Sequence, residues 1–106
     1  MDLDVRRIED EAKFSARVGD TEAILTWMRL TDDLVAFTHT AVPSALQGRG
    51  VGEELVHQAL EDTLRRGWKL VPLCPFVQAY LRRHPQYQEL VVDLEQLEKE
   101  EEEEEP

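Results

Sequence analysis

Residues 47–52 read Gln-Gly-Arg-Gly-Val-Gly and lie between an apolar run that ends at Val42 and an amphipathic segment that begins at Val51. This order predicts a strand, a glycine-rich turn and the start of a helix. Glycine allows positive φ angles and a close approach of the backbone to a ligand. The first turn of a helix adds unbonded N–H groups and the positive end of the helix dipole. The stretch therefore predicts a phosphate site, although a helix start alone also explains such a turn.

The residues before this turn have the pattern of β-structure. Apolar and polar residues alternate from Ala12 to Val18, and Gly19-Asp20 marks a turn after them. Two longer strands are predicted over Glu22–Leu30 and Leu34–Val42, joined by a tight hairpin, and a short strand is predicted over Leu3–Ile8. Four consecutive strands with short connections favour an antiparallel meander.

After the turn the hydrophobic period becomes helical. Apolar residues recur on one face from Val51 to Leu64, and Gly67 is a natural stop. Trp68–Leu73 follows as an almost wholly apolar strand, which a helical crossover makes parallel to Leu34–Val42. Pro72 cannot donate a ladder hydrogen bond, so we expect the two strands to have parted by residue 72. Pro75 suits the first position of a second helix that ends at Pro85.

Two further expectations concern the end of the sequence. Leu90, Val91 and Val92 suggest a last strand. Residues 95–106 contain eight glutamates and one lysine, so they carry most of the formal net charge of −11. Such a run predicts a frayed helix end or a disordered tail that follows a single domain over residues 1–94. It either solubilises the protein or attracts a basic partner.

Composition narrows the class of protein. An acidic chain is unsuited to nonspecific nucleic-acid binding, which needs Lys and Arg. There is no apolar run of membrane-spanning length and no signal-peptide pattern, so no membrane partner is expected.

The single cysteine, Cys74, cannot form an intrachain disulfide, which favours a cytoplasmic location. No His and Cys spacing typical of zinc is present, so no metal site is predicted. The oligomeric state stays open.

The order of elements around Gln47-x-x-Gly50-x-Gly52 resembles the GNAT superfamily of N-acetyltransferases, which use acyl-CoA. The chain is most similar to a small branch, the minimal YjdJ-type N-acetyltransferases. The similarity lies in His39-Thr40-x-Val42-Pro43, in Leu73-Cys74-Pro75-Phe76-Val77, and in Tyr80 followed by His84-Pro85-x-Tyr87. It covers about residues 3–92, and three motifs in order are more specific than any one of them.

The resemblance implies an α/β (α+β) fold: a GNAT-like mixed sheet with an antiparallel N-terminal meander, two helices, and parallel fourth and fifth strands that splay apart. Pantetheine of acetyl-CoA or coenzyme A would lie between these strands and pair with backbone of the fourth strand, Leu34–Val42. The pyrophosphate would rest on amides of the loop. The implied cofactor-binding residues are Val42, Gln47, Gly48, Arg49, Gly50, Val51, Gly52, Cys74 and Tyr80. Arg49 reaches a CoA phosphate on this interpretation, and is otherwise an exposed loop arginine.

Cys74 and His39 are the first two candidates for catalysis. Cys74 lies at a helix N-terminus, which favours thiolate, and it accepts the acetyl group, lines the pocket, or only packs in the core. His39 is placed on one strand face with Phe37 and Ala41, and is either a general base or a half-buried histidine bonded to backbone. The similar branch usually carries a carboxylate at the position of Ala41, so a base carried over from there is absent.

Tyr80 is the third candidate. Enzymes of the superfamily often place a tyrosine here to protonate the leaving thiolate, and the alternative is a core aromatic residue. His84 and Tyr87 are interpreted mainly as structural residues that close the second helix.

The sequence thus predicts an N-acetyltransferase that moves an acetyl group from acetyl-CoA to an amine of unknown identity, either a small molecule or a peptide. Two alternatives remain. One is an acyl-CoA-binding or sensing module with little turnover, which the missing carboxylate and the short chain favour. The other is an interaction protein that uses its acidic tail.

Overall fold

The structure is a computed structural model that describes residues 3–93. It contains one five-stranded sheet in the order β1 to β5, in which the first four strands are antiparallel and β5 is parallel to β4. The strands are β1 (Val5–Ile8), β2 (Lys13–Val18), β3 (Thr21–Thr31), β4 (Leu34–Ala41) and β5 (Lys69–Pro72). The helices are α1 (Val51–Arg65) and α2 (Pro75–Arg83), with short 3-10 turns at Glu9–Glu11, Ser44–Leu46 and Pro85–Leu90. The predicted mixed sheet with an antiparallel meander is confirmed.

Both helices pack on one side of the sheet, which we call the helix face. Side chains of β2, β3 and β4 that point to this side form one core with the apolar stripes of α1 and α2. Trp27 and Phe37 are its largest contributions from β3 and β4, and both pack around the ring of Phe14. On the opposite side, the open face, residues 3–93 cover only the β4–β5 end, where Val92 packs against a small buried cluster. That cluster consists of Leu34, Ala36 and Val71.

One charged residue is built into the helix face. The Arg7 guanidinium lies 4.1 Å from the ring centroid of Trp27 and 5.2 Å from that of Trp68. It also pairs with Asp62 of α1 at 3.3 Å and with Glu9 at 2.7 Å. A desolvated cation–π contact is worth about 2 kcal/mol, so the two tryptophan rings stabilise Arg7 on the helix face. The ion pair with Asp62 joins β1 to α1. Hydrophobic periodicity does not reveal such a residue, since it registers only apolar side chains.

The predicted last strand at Leu90–Val92 is largely wrong. Pro85–Leu90 forms a 3-10 turn, and the only ladder contact of this segment within residues 3–93 is a parallel bridge between Val91 and Leu70. Tyr87 and Leu90 are the two buried residues of the turn, and their spacing of three matches the 3-10 period. The predicted acidic tail, 95–106, lies outside the described residues.

Candidate active site

A cleft opens where β4 and β5 part. The parallel pairing ends with Phe37 opposite Pro72, and the N–H groups of Leu73 and Cys74 both donate to the Phe37 carbonyl, at 3.0 and 3.1 Å. β5 then turns away into α2, while β4 continues to Ala41. The splayed fourth and fifth strands are therefore confirmed. Beyond Phe37, no strand among residues 3–93 pairs with the β5 side of β4, which leaves an open backbone edge, as expected from a proline at residue 72.

The glycine-rich loop borders this cleft. Gly48 and Gly50 have φ angles of +77° and +78°, a region that other residues adopt at a cost. Gly50 is the N-cap of α1, and the first intrahelical hydrogen bond runs from Glu54 N to Gly50 O at 3.1 Å. The N–H groups of Val51, Gly52 and Glu53 precede that bond, and Gly50 has no side chain to cap them. They are therefore available to an anion.

Gln47 and Gly52 hold the loop in position, and neither offers a side-chain donor to a ligand in the cleft. The Gln47 side-chain amide donates to the Val42 carbonyl at 3.0 Å, so it ties the loop to the end of β4. A Cβ on Gly52 would lie 2.8 Å from Phe76 Cζ and 3.0 Å from Val42 Cγ2. Only glycine lets the start of α1 approach the strand end and α2 this closely. Around these residues lies a groove of about 330 Å³.

A second hollow of about 380 Å³ continues from the loop between α1 and α2. Its charged and titratable lining includes Arg49, Glu53, His57 and His84. Arg49 is exposed, and Glu53 lies 3.8 Å from Arg83 of α2. Because the carboxylates of Glu53 and Glu54 share this lining with the Arg49 guanidinium, an anion bound here would depend on the loop amides more than on a net positive field.

Cys74 is the N-cap of α2 and is buried beneath the cleft. Its thiol donates to Thr40 Oγ1, with sulfur and oxygen 3.4 Å apart. Thr40 belongs to the unpaired half of β4, so the thiol lies at the point where the two strands separate. The sequence motif contained Thr40, but nothing in the strand pattern identified it as the thiol's partner.

His39 does not share a strand face with Phe37, contrary to the sequence interpretation. A bulge at Thr38 shifts the β3–β4 register, so Phe37 lies opposite Trp27 while His39 lies opposite Thr26. Directly opposed residues point to the same face, which puts Phe37 on the helix face and His39 on the open face. The hydroxyls of Thr26 and Thr38 hydrogen-bond at 2.8 Å and hold the bulge in place.

His39 is exposed, and Ala41 shares its face, as expected. Thr40, opposite Leu25, points to the helix face with Cys74. The two candidates for nucleophile and base therefore lie on opposite faces of the same open strand end. They make no direct hydrogen bond.

Tyr80 is buried on α2, lines the second hollow and stacks on the His84 ring at a centroid distance of 3.8 Å. Burial, followed by the nearby Glu54 carboxylate, raises the pKa of Tyr80 above its ordinary value of 10.0. The hydroxyl thus keeps its proton near neutral pH. His84 Nδ1 donates to the Tyr80 carbonyl at 2.8 Å, and the Tyr87 hydroxyl donates to Glu61 at 2.6 Å. The first bond closes the last turn of α2, and the second ties the following 3-10 turn to α1, in keeping with the structural role expected for His84 and Tyr87.

Of the remaining predicted residues, Val42 stands at the end of β4 in the groove wall, and the Val51 side chain is buried in the core. Val51 therefore presents only its N–H to the loop. Phe76 forms the opposite wall of the groove and is 38% exposed. Phe76 belongs to the quoted motif, but nothing in the motif indicated that its ring would stand partly exposed beside the glycine-rich loop.

A five-stranded sheet that opens between parallel strands beside a glycine-rich helix start is the architecture of acyl-CoA-dependent N-acetyltransferases. The chain belongs to the GCN5-related N-acetyltransferase family, whose sequence model matches residues 13–90. Transfer of acetyl groups is the activity of this family.

Two vertebrate relatives illustrate the similarity. The chain is 31% identical to Protein NATD1 of Gallus gallus over 85 residues, which is 78% of this chain and 77% of that protein. It is 29% identical to Protein NATD1 of Xenopus tropicalis over 84 residues, 74% of this chain and 77% of that one. A GCN5-like protein of Staphylococcus aureus, solved by NMR, shares the fold with a TM-score of 0.67 and 24% identity. That alignment covers 87% of this chain and 90% of the other. Within residues 3–93, neither helix is long and apolar enough to cross a membrane.

Proposed function

We propose that the protein binds acetyl-CoA in the cleft between β4 and β5 and transfers its acetyl group to an amine. The observation that carries this proposal is the unpaired end of β4 beside the loop of residues 47–52. β4 runs four residues past Phe37, its last residue paired with β5, and the free amides of the α1 N-terminus lie next to this end. A pantetheine arm has amides that pair with such an edge, and a pyrophosphate is the anion that such a helix start binds.

The loop fits this ligand. A Cβ placed on Gly48 or Gly50 would meet no atom within 4 Å, so the space above these residues is open to a phosphate group. Gly52 in turn permits the close packing that brings the α1 amides to the cleft. When bound, acetyl-CoA supplies an acetyl group activated as a thioester. The protein has to place that group, remove a proton from the amine and return one to the leaving thiolate.

The structure suggests a division of these tasks between the two faces. His39, exposed on the open face, is positioned to take a proton from an amine that arrives on that side. Tyr80, on the helix face, retains its proton and is a donor for the thiolate. Cys74 either accepts the acetyl group after losing its proton, so that the amine then attacks an acetyl-cysteine, or forms a wall of the pocket.

Isothermal titration calorimetry with acetyl-CoA tests the site, with Gly50→Val as the disrupting variant. Valine at a φ of +78° is strained and its side chain fills the space above the loop. The matched control is Gly67→Val, because Gly67 has a φ of +72° and equally open surroundings at the other end of α1. We expect micromolar binding to the wild type and to Gly67→Val, and a loss of about 100-fold or more in Gly50→Val, equal to about 2.7 kcal/mol. Equal affinities in both variants would place the ligand elsewhere.

The role of Cys74 is tested by Cys74→Ser in a turnover assay with a panel of primary amines. Undiminished transfer by the serine variant excludes an acetyl-cysteine route. Loss of transfer, with an acetylated Cys74 trapped in the wild type in the absence of amine, establishes it.

A further inference from the structure

The open face carries a groove that the acetyl-CoA site does not use. It has a volume of about 520 Å³ and runs over the open-face side of β1, β2 and the start of β3. Its lining alternates in charge, with the acidic residues Asp4, Glu11 and Glu22 and the basic residues Arg6, Lys13 and Arg17.

The sheet register connects this groove to His39. Ile8, Lys13, Thr26 and His39 are successive cross-strand partners in one row. Opposed residues share a face, so the row is continuous on the open face from the groove to the unpaired end of β4. Two strand spacings of about 4.8 Å separate Lys13 from His39, a span of about 10 Å. An extended peptide covers that distance in about three residues.

The charges in the groove decide between classes of amine. Lys13 lies 3.6 Å from both Glu11 and Glu22, and Arg6 pairs with Asp4 at 3.2 Å. Arg17 is exposed and lies opposite Glu22 in the sheet, but it makes no ion pair within 4 Å with any residue between 3 and 93, so it is available to an acidic group. A polyamine would meet three cations here and three carboxylates that are already paired with Arg6 or Lys13. A peptide instead offers acidic side chains to Arg17 and Arg6 and backbone to the polar lining.

We infer that the acceptor is a peptide amine whose chain lies extended across the open face, with its amino group at His39 and acidic side chains in the groove. The acceptor role rests on the proposed acetyltransferase function, but the binding site does not. The open face suits this occupant because neither helix packs on it, so a polymer can enter from the side.

NMR titration of the ¹⁵N-labelled protein with two hexapeptides tests the inference. The probes are Ala-Ala-Ala-Asp-Ala-Asp and Ala-Ala-Ala-Lys-Ala-Lys, both with a free N-terminus and an amidated C-terminus. We expect the acidic peptide to shift amides of Lys13, Ser15 and Arg17 together with those near His39, and the basic peptide to bind more weakly. Shifts confined to the helix face, or none at millimolar peptide, overturn the inference. Tighter binding of spermidine, or self-association through this face, overturns it as well.

Charge reversal gives the matched variants. Arg6→Glu/Arg17→Glu is expected to weaken binding of the acidic peptide about tenfold, since each substitution replaces an exposed cation with a carboxylate that repels the acidic side chain. The control is Arg65→Glu/Arg66→Glu, which changes the net charge equally at the far end of α1 and leaves peptide affinity unchanged. Acetyl-CoA affinity is measured on all three proteins. If acetyl-CoA fails to bind the wild type while the peptide shifts persist, the transferase proposal fails and the peptide site stands.

Discussion

The two halves of β4 share one strand but differ in their surroundings. Leu34–Phe37 is paired on both sides and buried on both faces. In Thr38–Ala41, which is partly exposed, the last three residues pair with β3, and no other strand within residues 3–93 pairs with this half. The first half contributes apolar side chains to the core. The second half provides Thr40 to the thiol of Cys74 and His39 to the open face. Stability and the candidate chemistry are thus separated along a single strand, and the bulge at Thr38 marks the boundary.

The largest effect is expected from a substitution in the buried half of β4. Phe37 is 1% exposed and packs against Phe14, so Phe37→Ala should lower the free energy of unfolding by about 3–5 kcal/mol. Phe37→Leu keeps most of the volume and should cost less than about 1.5 kcal/mol. Urea denaturation followed by tryptophan fluorescence measures both. A loss below about 1 kcal/mol for the alanine variant would mean that the first half of β4 is not the stabilising half.

The next effect concerns the groove beside the open half. Gly52→Ala pushes Phe76 and Val42 apart, and we expect acetyl-CoA to bind about tenfold more weakly, or about 1.4 kcal/mol. Stability should change little, because alanine is the better helix former and the exposed Phe76 ring can move. Adding Phe76→Ala restores the space, so calorimetry on the double variant should show recovered affinity. An unchanged affinity in Gly52→Ala would show that the ligand does not depend on this close approach.

A smaller effect is expected at the boundary itself. Thr38→Val removes both hydrogen bonds of the Thr38 hydroxyl, to Thr26 Oγ1 and to the Thr26 carbonyl, at a cost of about 1 kcal/mol. Because these bonds fix the bulge that orients His39, transfer to an amine should slow while acetyl-CoA affinity is kept. Thr21→Val is the control, since the Thr21 hydroxyl makes no hydrogen bond within residues 3–93. Equal turnover in the two variants would show that the Thr38 bulge is not required for acetyl transfer.

The smallest effect lies on the open face. Ser15 donates to the Glu22 carboxylate, and this bond is the first cause of a Glu22 pKa below the ordinary value of 4.5. Because the Glu22 carboxyl has a lower pKa in the folded than in the unfolded protein, its ionisation stabilises the folded state above pH 4.5. This contribution is lost as the pH falls through the folded-state pKa. The stability difference between wild type and Ser15→Ala should therefore shrink from pH 7 to pH 3. The same difference at both pH values would rule out the bond as its source.

Local sequence patterns were sufficient to predict where the open half of β4 begins to separate from β5 and where the adjoining loop lies. Pro72 indicated where β4 and β5 separate, and the glycines indicated the loop and the start of α1. The face of His39 could not be predicted, because a strand period of two assumes no bulge, and the bulge depends on a hydroxyl pair between strands. The position of Arg7 between two tryptophans depends likewise on contacts distant in sequence. The 3-10 turn at Pro85–Leu90 was missed because a short apolar run at Leu90–Val92 also fits a strand.

The central claim is that acetyl-CoA pairs with the open half of β4 and not with the buried half. Hydrogen–deuterium exchange of the backbone amides, measured by NMR with and without saturating acetyl-CoA, tests it most directly. The account predicts that amides within Thr38–Ala41 and the first turn of α1 gain protection on binding, while those of Leu34–Phe37 are already protected and do not change. Binding that leaves Thr38–Ala41 and the loop as they were in the free protein would contradict it.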